Sequence, residues 1–373
     1  MKLSMRDVRE KTGTNGMTAI STFAGSGGSS TGHRLAGFKM LWASEFVDKA
    51  VDTYAKNKSE YTKINSRDIR EVTAEDIMRE AGVRRGELDL FDGSPPCSAF
   101  STAGKRQAGW GESKDYSTGK NQVVDDLFFE YARLVRGVQP RAFIAENVPG
   151  LVRGSAKGYF KLILRELSDA GYTVKAYIID AHRSGVPQER QRLFFIGARE
   201  DLGVTPTPPR RLKRIPTIAD VAPYALGAGN GTLGVESNPA TGFQRGVRPA
   251  TKPLGTLGAG IPFPVSNSPS MYLVTNRSSD PHANLIDPET GESLDIGRKM
   301  TGTRFRGRAI RAFGPTALPR LATLRELREF AGFPLDYELT GNFSNRVERI
   351  GRAVPPVMMS HISAHVRDTI LSK

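Results

Sequence analysis

The sequence predicts an α/β fold, a doubly wound sheet interrupted by a smaller domain rich in loops and short strands. Three observations predict it. Short apolar runs alternate with amphipathic helical stretches over 18–198. A glycine-rich turn follows the first of those runs. From residue 199 the texture turns to proline, glycine and short strands, and helical periodicity resumes at 323. The expected division is therefore 1–198 plus 323–373 for the main domain and 199–322 for the insert. A chain of 373 residues is long enough to bury a core in each.

Composition narrows the classes of function. The net charge is +14 and the pI about 9.9, which favours a polyanionic partner, above all nucleic acid. Residues 199–322 carry 16 Lys/Arg against 9 Asp/Glu, so the insert holds half of that excess in a third of the chain. A single cysteine excludes an internal disulfide and any cysteine-based zinc cluster, and five histidines without metal-ligand spacing give no metal site. There is no run of 18 apolar residues, and 1–17 lacks the apolar core of a signal peptide. The expectation is a soluble cytoplasmic protein that does not enter a membrane.

The first strand is predicted over 18–23 and runs into Ala24-Gly25-Ser26-Gly27-Gly28, with a helix entered beyond. Glycines there let backbone approach a ligand, and a helix start favours polar or anionic groups. A plain tight turn would look similar. The second strand, 40–43, delivers Glu45 about 17 residues past Gly28, a spacing suited to an acid that binds a ribose, as in Rossmann-like nucleoside sites. Asp68-Ile69 follows the third apolar stretch, 61–65. An acid and an apolar side chain suit the amine and the face of an adenine; a helix cap followed by a core residue is the plainer reading.

The fourth strand, 88–91, leads into Asp92-Gly93-Ser94-Pro95-Pro96-Cys97. Two prolines fix the backbone before the lone thiol, which suits a nucleophile held at a strand end; a buried inert cysteine is the alternative. Residues 98–122 lack periodicity and contain four glycines, as a mobile lid would, with Lys105 and Arg106 placed to grip phosphates.

A helix follows Asp125 with Leu127, Tyr131, Leu134 and Val138 on one face. The strand 142–145 then ends in Glu146-Asn147-Val148-Pro149, aimed at the crevice where open sheets bind ligands. A helix over 159–170 and strands over 173–179 and 193–198 complete the pattern. Between those strands Gln188, Arg190 and Arg192 alternate at strand period, as an aimed cluster rather than solvated charge. In the insert, 287–291 reads as a hairpin turn, and 298–311 holds six basic residues and no acid. Arg304, Arg306 and Arg308 would share one face of a strand there. A last helix covers 355–371.

With these pieces in order the chain resembles the C5-cytosine DNA methyltransferases over almost its whole length. The motifs that carry the likeness are Phe23-Ala24-Gly25-x-Gly27-Gly28, Pro95-Pro96-Cys97, Glu146-Asn147-Val148, Gln188-x-Arg190-x-Arg192, Arg325-Glu326 and Gly351-x-Ala353-Val354-Pro355-Pro356. The resemblance implies a Rossmann-like methyltransferase domain with an inserted target-recognition domain. It implies S-adenosyl-L-methionine held by Phe23, Ala24, Gly25, Gly27, Gly28, Glu45, Phe46, Asp68, Ile69, Pro96, Leu127 and Ala353. It implies Cys97 as nucleophile, with Glu146, Arg190 and Arg192 around the target cytosine. Contacts to DNA fall to Ser98, Ser101, Lys105 and Arg106 of the lid and to Arg298, Arg304, Arg306 and Arg308 of the insert. The partner implied is double-stranded DNA, met by a monomer, with a cognate restriction endonuclease left open.

Three positions depart from the family pattern: Ser98 stands where glutamine is usual, Ser21 where an acid often precedes the glycine turn, and Arg352 where asparagine normally follows Gly351. Two other readings stay open from sequence, an RNA cytosine-C5 methyltransferase and a catalytically silent DNA-binding homologue.

Overall fold

The computed structural model describes residues 2–96, 114–116, 120–122, 127–224, 250–257, 272–295 and 315–372. Cys97, Ser98, Ser101, Lys105, Arg106, Arg298, Arg304, Arg306 and Arg308 lie outside the described residues. The chain forms two compact units, 5–180 with 191–211 and 354–373, and 1–4 with 181–190 and 212–353. The expected insert, 199–322, is cut differently: its first residues belong to the larger unit, and the helical stretch 323–353 belongs to the smaller one.

In the larger unit seven strands make one sheet: β1 (Thr18–Thr22), β2 (Lys39–Ser44), β3 (Lys63–Asn65), β4 (Leu90–Gly93), β5 (Ala142–Asn147), β6 (Tyr172–Asp180) and β7 (Gln191–Arg199). Their order is β3-β2-β1-β4-β5-β7-β6. The first five run parallel, and β7 enters antiparallel between β5 and β6. The order reverses between β1 and β4, the kind of point at which open sheets leave a crevice beyond their strand ends. Each strand predicted over 18–198 exists, shifted by a residue or two, because apolar runs mark burial and not where pairing stops.

The helices of this unit are α1 (Met5–Lys11), α2 (Gly28–Leu35), α3 (Asp48–Asn57), α4 (Ala74–Ala81), α5 (Leu127–Val138), α6 (Lys157–Asp169) and α7 (Pro356–Val366). Ile77 of α4, Tyr131 and Leu134 of α5 and Leu167 of α6 pack with Trp42, Phe91, Phe143 and Phe195 of the sheet in one core. The alternation of side chains along β2 sends Ala43 the other way, to Tyr54 of α3. Both faces are covered, so the winding is double, as the sequence predicts. Thr73 opens α4 in a reciprocal cap with Asp76, and Gly82 closes it in the left-handed conformation.

The contact of α5 with the sheet bears on β4, the strand that precedes Pro95-Pro96. The Tyr131 hydroxyl lies 3.2 Å from both Phe91 O and Ile144 O, bridging β4 and β5. A Cβ at Gly93 would sit 2.4 Å from the Tyr131 ring and 2.6 Å from Thr22 Oγ1, so only glycine lets α5 approach this closely. Burial first, then the charge of Asp92, pushes the Tyr131 phenol well above its usual pKa.

The smaller unit buries a polar cluster among apolar side chains such as Leu273, Leu294, Leu318 and Phe330. An antiparallel pair, Tyr272–Asn276 with Ala317–Leu321, presents Arg320, which is 0% exposed. Its guanidinium donates to Asp280 Oδ2 at 2.7 Å and to both Glu326 oxygens at 2.8 Å. Tyr224 donates to the same glutamate and Thr275 to the same aspartate. Thr323 and Glu326 form the capping box of the helix Leu324–Phe330. The hairpin predicted at 287–291 is present: Ile286 bridges Ser293, and Asp287 Oδ1 accepts from the Glu289 and Thr290 amides.

Candidate active site

The carboxyl ends of β1, β2, β3, β4 and β5 meet the amino end of antiparallel β7 along one edge of the sheet. At the end of β1 the chain turns sharply. Phe23, Gly25 and Gly27 take positive φ of 51, 55 and 87°, a conformation rare for a phenylalanine and therefore held by its surroundings. The Ala24 amide donates to Ser44 O at 2.9 Å, the Gly27 amide to Ala24 O at 3.0 Å, and Gly28 then opens α2. A Cβ at Gly25 would meet nothing within 4 Å, so backbone is open to a ligand there.

Glu45 stands at the tip of β2. Its carboxylate accepts from the Gly25 amide at 2.7 Å and from the Val47 amide at 2.8 Å, which fastens the turn to the acid. A carboxylate offers about four acceptor positions, and an acid at the tip of the second strand is suited to ribose hydroxyls. Phe46 beside it is half-buried. These features fit a nucleoside with a long polar substituent.

Asp68 is at the end of β3 and caps the single turn Ile69–Glu71, accepting from the Arg70 amide at 3.1 Å. Ile69 is 5% exposed and belongs to the main core. The plainer sequence reading of this pair thus describes its geometry. Leu127 opens α5 and is 2% exposed, also in the core.

β4 and β5 bring the chemistry together. Gly93 and Ala145 are register partners, and Asn147 Nδ2 donates to Pro95 O at 3.2 Å. The backbone entering the Pro95-Pro96-Cys97 segment is thereby tied to the Glu146-Asn147 segment. Pro96, the last described residue before Cys97, is half-buried. From the neighbouring strand β7, Arg192 Nε reaches Glu146 Oε1 at 2.9 Å, both side chains mostly buried. Arg192 Nη1 also donates to Gln191 O at 2.7 Å, which orients the guanidinium.

Arg190 and Ala353 belong to the smaller unit. Arg190 is 2% exposed and donates to Leu257 O at 3.1 Å, while Gln188 donates to Phe330 O and accepts from the Leu257 amide. The strand-period alternation that grouped Arg190 with Arg192 is interrupted: Gln188–Glu189 pairs with Leu254–Gly255, and β7 begins only at Gln191. Ala353 ends the helix Phe343–Arg352. Arg352 is half-exposed and pairs with Glu348 at 2.9 Å, one turn back.

Three further residues emerge at this edge. Asn147 acts as a strap between two motifs, and Asp92 and His33 are buried polar groups beneath the glycine turn. The sequence signal for Asp92 was an acid terminating an otherwise apolar strand.

A family model described as C-5 cytosine-specific DNA methylase matches residues 17–367. The chain belongs to this family. Members of that family move a methyl group to cytosine C5 in DNA; in this chain the glycine turn, Glu45 and the Glu146–Arg192 pair lie on one sheet edge. The type II methyltransferase M.NgoPII of Neisseria gonorrhoeae is 28% identical over 95% of this chain and 97% of that protein. M.FnuDI of Fusobacterium nucleatum is 33% identical over 51% of this chain, which spans about half (49%) of that protein's length. Among solved structures, the S. pombe Dnmt2 methyltransferase superposes with a TM-score of 0.59 at 16% identity, over 94% of this chain and 98% of that one. That likeness is one of fold.

Among the described residues no helix is long and apolar enough to cross a membrane, and no cluster of three metal-ligating side chains occurs.

Proposed function

We propose that this protein methylates C5 of a cytosine flipped out of duplex DNA, through a covalent adduct between Cys97 and C6. The observation that supports it most is the strap from Asn147 to Pro95, which ties the segment entering the nucleophile loop to the Glu146–Arg192 pair.

Carbon 5 of cytosine is a poor nucleophile. Addition of the Cys97 thiolate to C6 pushes electrons into the ring and divides one hard step into easier ones. Glu146 meets the N3 edge, and Arg192 stabilises charge at O2, each oriented by the other through their 2.9 Å ion pair. S-adenosylmethionine, held at the 23–28 turn and Glu45, supplies an electrophilic methyl group on a sulfonium. Loss of the C5 proton with departure of Cys97 restores the ring. The target atoms are inaccessible in a stacked duplex, so the base is extruded at a cost of a few kcal/mol, offset by contacts to the DNA. Asp68 serves this reading at the end of β3, with Ile69 and Leu127 in the core behind it, and within the smaller unit Arg190 holds residues 254–257.

Duplex DNA is the substrate, the acting form is a monomer, and a cognate restriction endonuclease is the natural companion of an enzyme of this type. Tritium transfer from labelled S-adenosylmethionine tests the substrate. Incorporation into duplex DNA that excess RNA does not suppress is the expected result; preferential labelling of RNA overturns it.

A further inference from the structure

Asp92 is an acid at the end of an apolar strand: Leu90, Phe91 and Asp92 are all 0% exposed. A carboxyl group so placed is costly to bury unless its oxygens are fully partnered. Here the partners are not an arginine or lysine but three small polar groups. Ser21 Oγ donates to Oδ2 at 2.6 Å and Ser29 Oγ to Oδ1 at 3.1 Å. His33 Nε2 stands 3.3 Å from Oδ1. On its other side the ring meets Ser363 Oγ at 2.7 Å, and that hydroxyl is anchored to Met359 O on α7.

The positions of the two serines give the arrangement its meaning. Ser21 lies two residues before Phe23, where the left-handed turn begins, and it is the direct register partner of Asp92 in the β1–β4 pair. Ser29 follows Gly28 at the start of α2. One carboxyl group therefore grips the glycine turn on both sides, while its own strand continues into Ser94, Pro95, Pro96 and Cys97.

We infer that Asp92 is a positioning residue for the methyl-donor turn: it clamps Ser21 and Ser29 and fixes that turn relative to the strand that carries the nucleophile. It acts through the turn and touches no reacting atom. His33, backed by Ser363, closes the remaining side of the carboxyl group. The departure at Ser21 then has a structural account, because the carboxyl group that position lacks is delivered from the adjacent strand. The inference rests on the reading of the 23–28 turn as the S-adenosylmethionine site.

The test is calorimetric binding of S-adenosylmethionine by the full chain, together with binding of a DNA duplex without cofactor and the thermal midpoint. Asp92→Asn keeps the shape but turns one of the two acceptor oxygens into a donor, so one of the two serine contacts is lost with the charge. It is expected to weaken cofactor binding by about tenfold to a hundredfold, the scale of a lost charge-assisted hydrogen bond, with DNA binding unchanged. Ser29→Ala, which removes one arm of the clamp, gives a smaller loss of the same kind and decides the matter should Asp92→Asn not fold. The exchange Ser21→Asp with Asp92→Ser restores cofactor binding at least in part. A merely structural role would lower the thermal midpoint and leave cofactor affinity intact in the folded variants, which overturns the inference. If the unaltered protein fails to bind S-adenosylmethionine, the site reading falls, and this inference with it. Tight binding by wild type and Asp92→Asn alike removes only the inference.

Discussion

At the scale of single residues the site depends on side chains held by more than one partner. Glu146 and Arg192 share an ion pair across β5 and β7. Glu146→Gln keeps the size and removes the charge that Arg192 faces, and it is expected to lower the methylation rate by about 10²- to 10⁴-fold, the usual range for a positioned acid–base group. Arg192→Met should cost about 10²- to 10³-fold, as the loss of one stabilising donor does. Initial rates at saturating DNA measure both; wild-type rates in either variant would remove that residue from the chemistry. Glu146 and Arg192 were singled out because an acid at a strand end and an arginine before an apolar strand are local patterns, and the structure brings the two together. Arg190 was misgrouped, because alternation in sequence does not reveal that Gln188–Glu189 and Gln191–Arg199 are separate strands with different partners. Asp92 and His33 went unread for a related reason: their hydrogen bonds join residues 63 to 330 positions apart.

Among the elements, β4 decides where the segment leading to Cys97, the proposed nucleophile, begins. It is fastened to β5 by pairing of Gly93 with Ala145, to α5 through Tyr131, and to the following loop by the Asn147 strap. Gly93→Ala would force a Cβ to within 2.4 Å of the Tyr131 ring. Overpacking of this kind costs about 1–3 kcal/mol, and the displacement of β4 should lower activity beyond what the loss of stability explains. Chemical denaturation with parallel rate measurements checks this; an unchanged midpoint would show that the contact relaxes freely. The strands of the larger unit and its helices α5, α6 and α7 were legible from apolar periodicity, since burial writes itself into the sequence; the short helices α1, α3 and α4 were not predicted. Sheet order was not, because which strand lies beside which depends on crossovers that no local pattern records. The antiparallel entry of β7 between β5 and β6 is the clearest example.

On the scale of the whole molecule, both units bury apolar side chains, and the smaller one adds a buried ionic cluster. The larger unit is an apolar core between helices and sheet. In the smaller one the cluster is Arg320 with its two carboxylates. Burial opposes ionisation of Asp280 and Glu326, but the hydrogen bonds and charge of Arg320 outweigh it and hold both below the ordinary carboxylate range. A carboxylate depressed in the fold contributes stability that is present above its unfolded pKa of about 4 and is lost as pH falls through the folded value. Thermal denaturation should therefore show the midpoint falling as pH drops below about 4, and Arg320→Met should cost about 3–5 kcal/mol by stranding two buried charges. A flat midpoint across that range would contradict the assignment.

Sequence texture marked the change of character near 199 but placed 323–353 with the main domain, because helical periodicity alone does not say which core a helix joins. Glu326 shows the difference: it caps its own helix and at the same time completes the Arg320 cluster of the smaller unit.

The central claim is that Cys97 attacks a cytosine presented to Glu146 and Arg192 at this sheet edge. Bisulfite sequencing of DNA from cells expressing the wild-type chain or Cys97→Ala tests it most directly. The account predicts 5-methylcytosine within one short recurring sequence in the first and none in the second. Equal methylation in both, or none in either despite binding of S-adenosylmethionine, would contradict it.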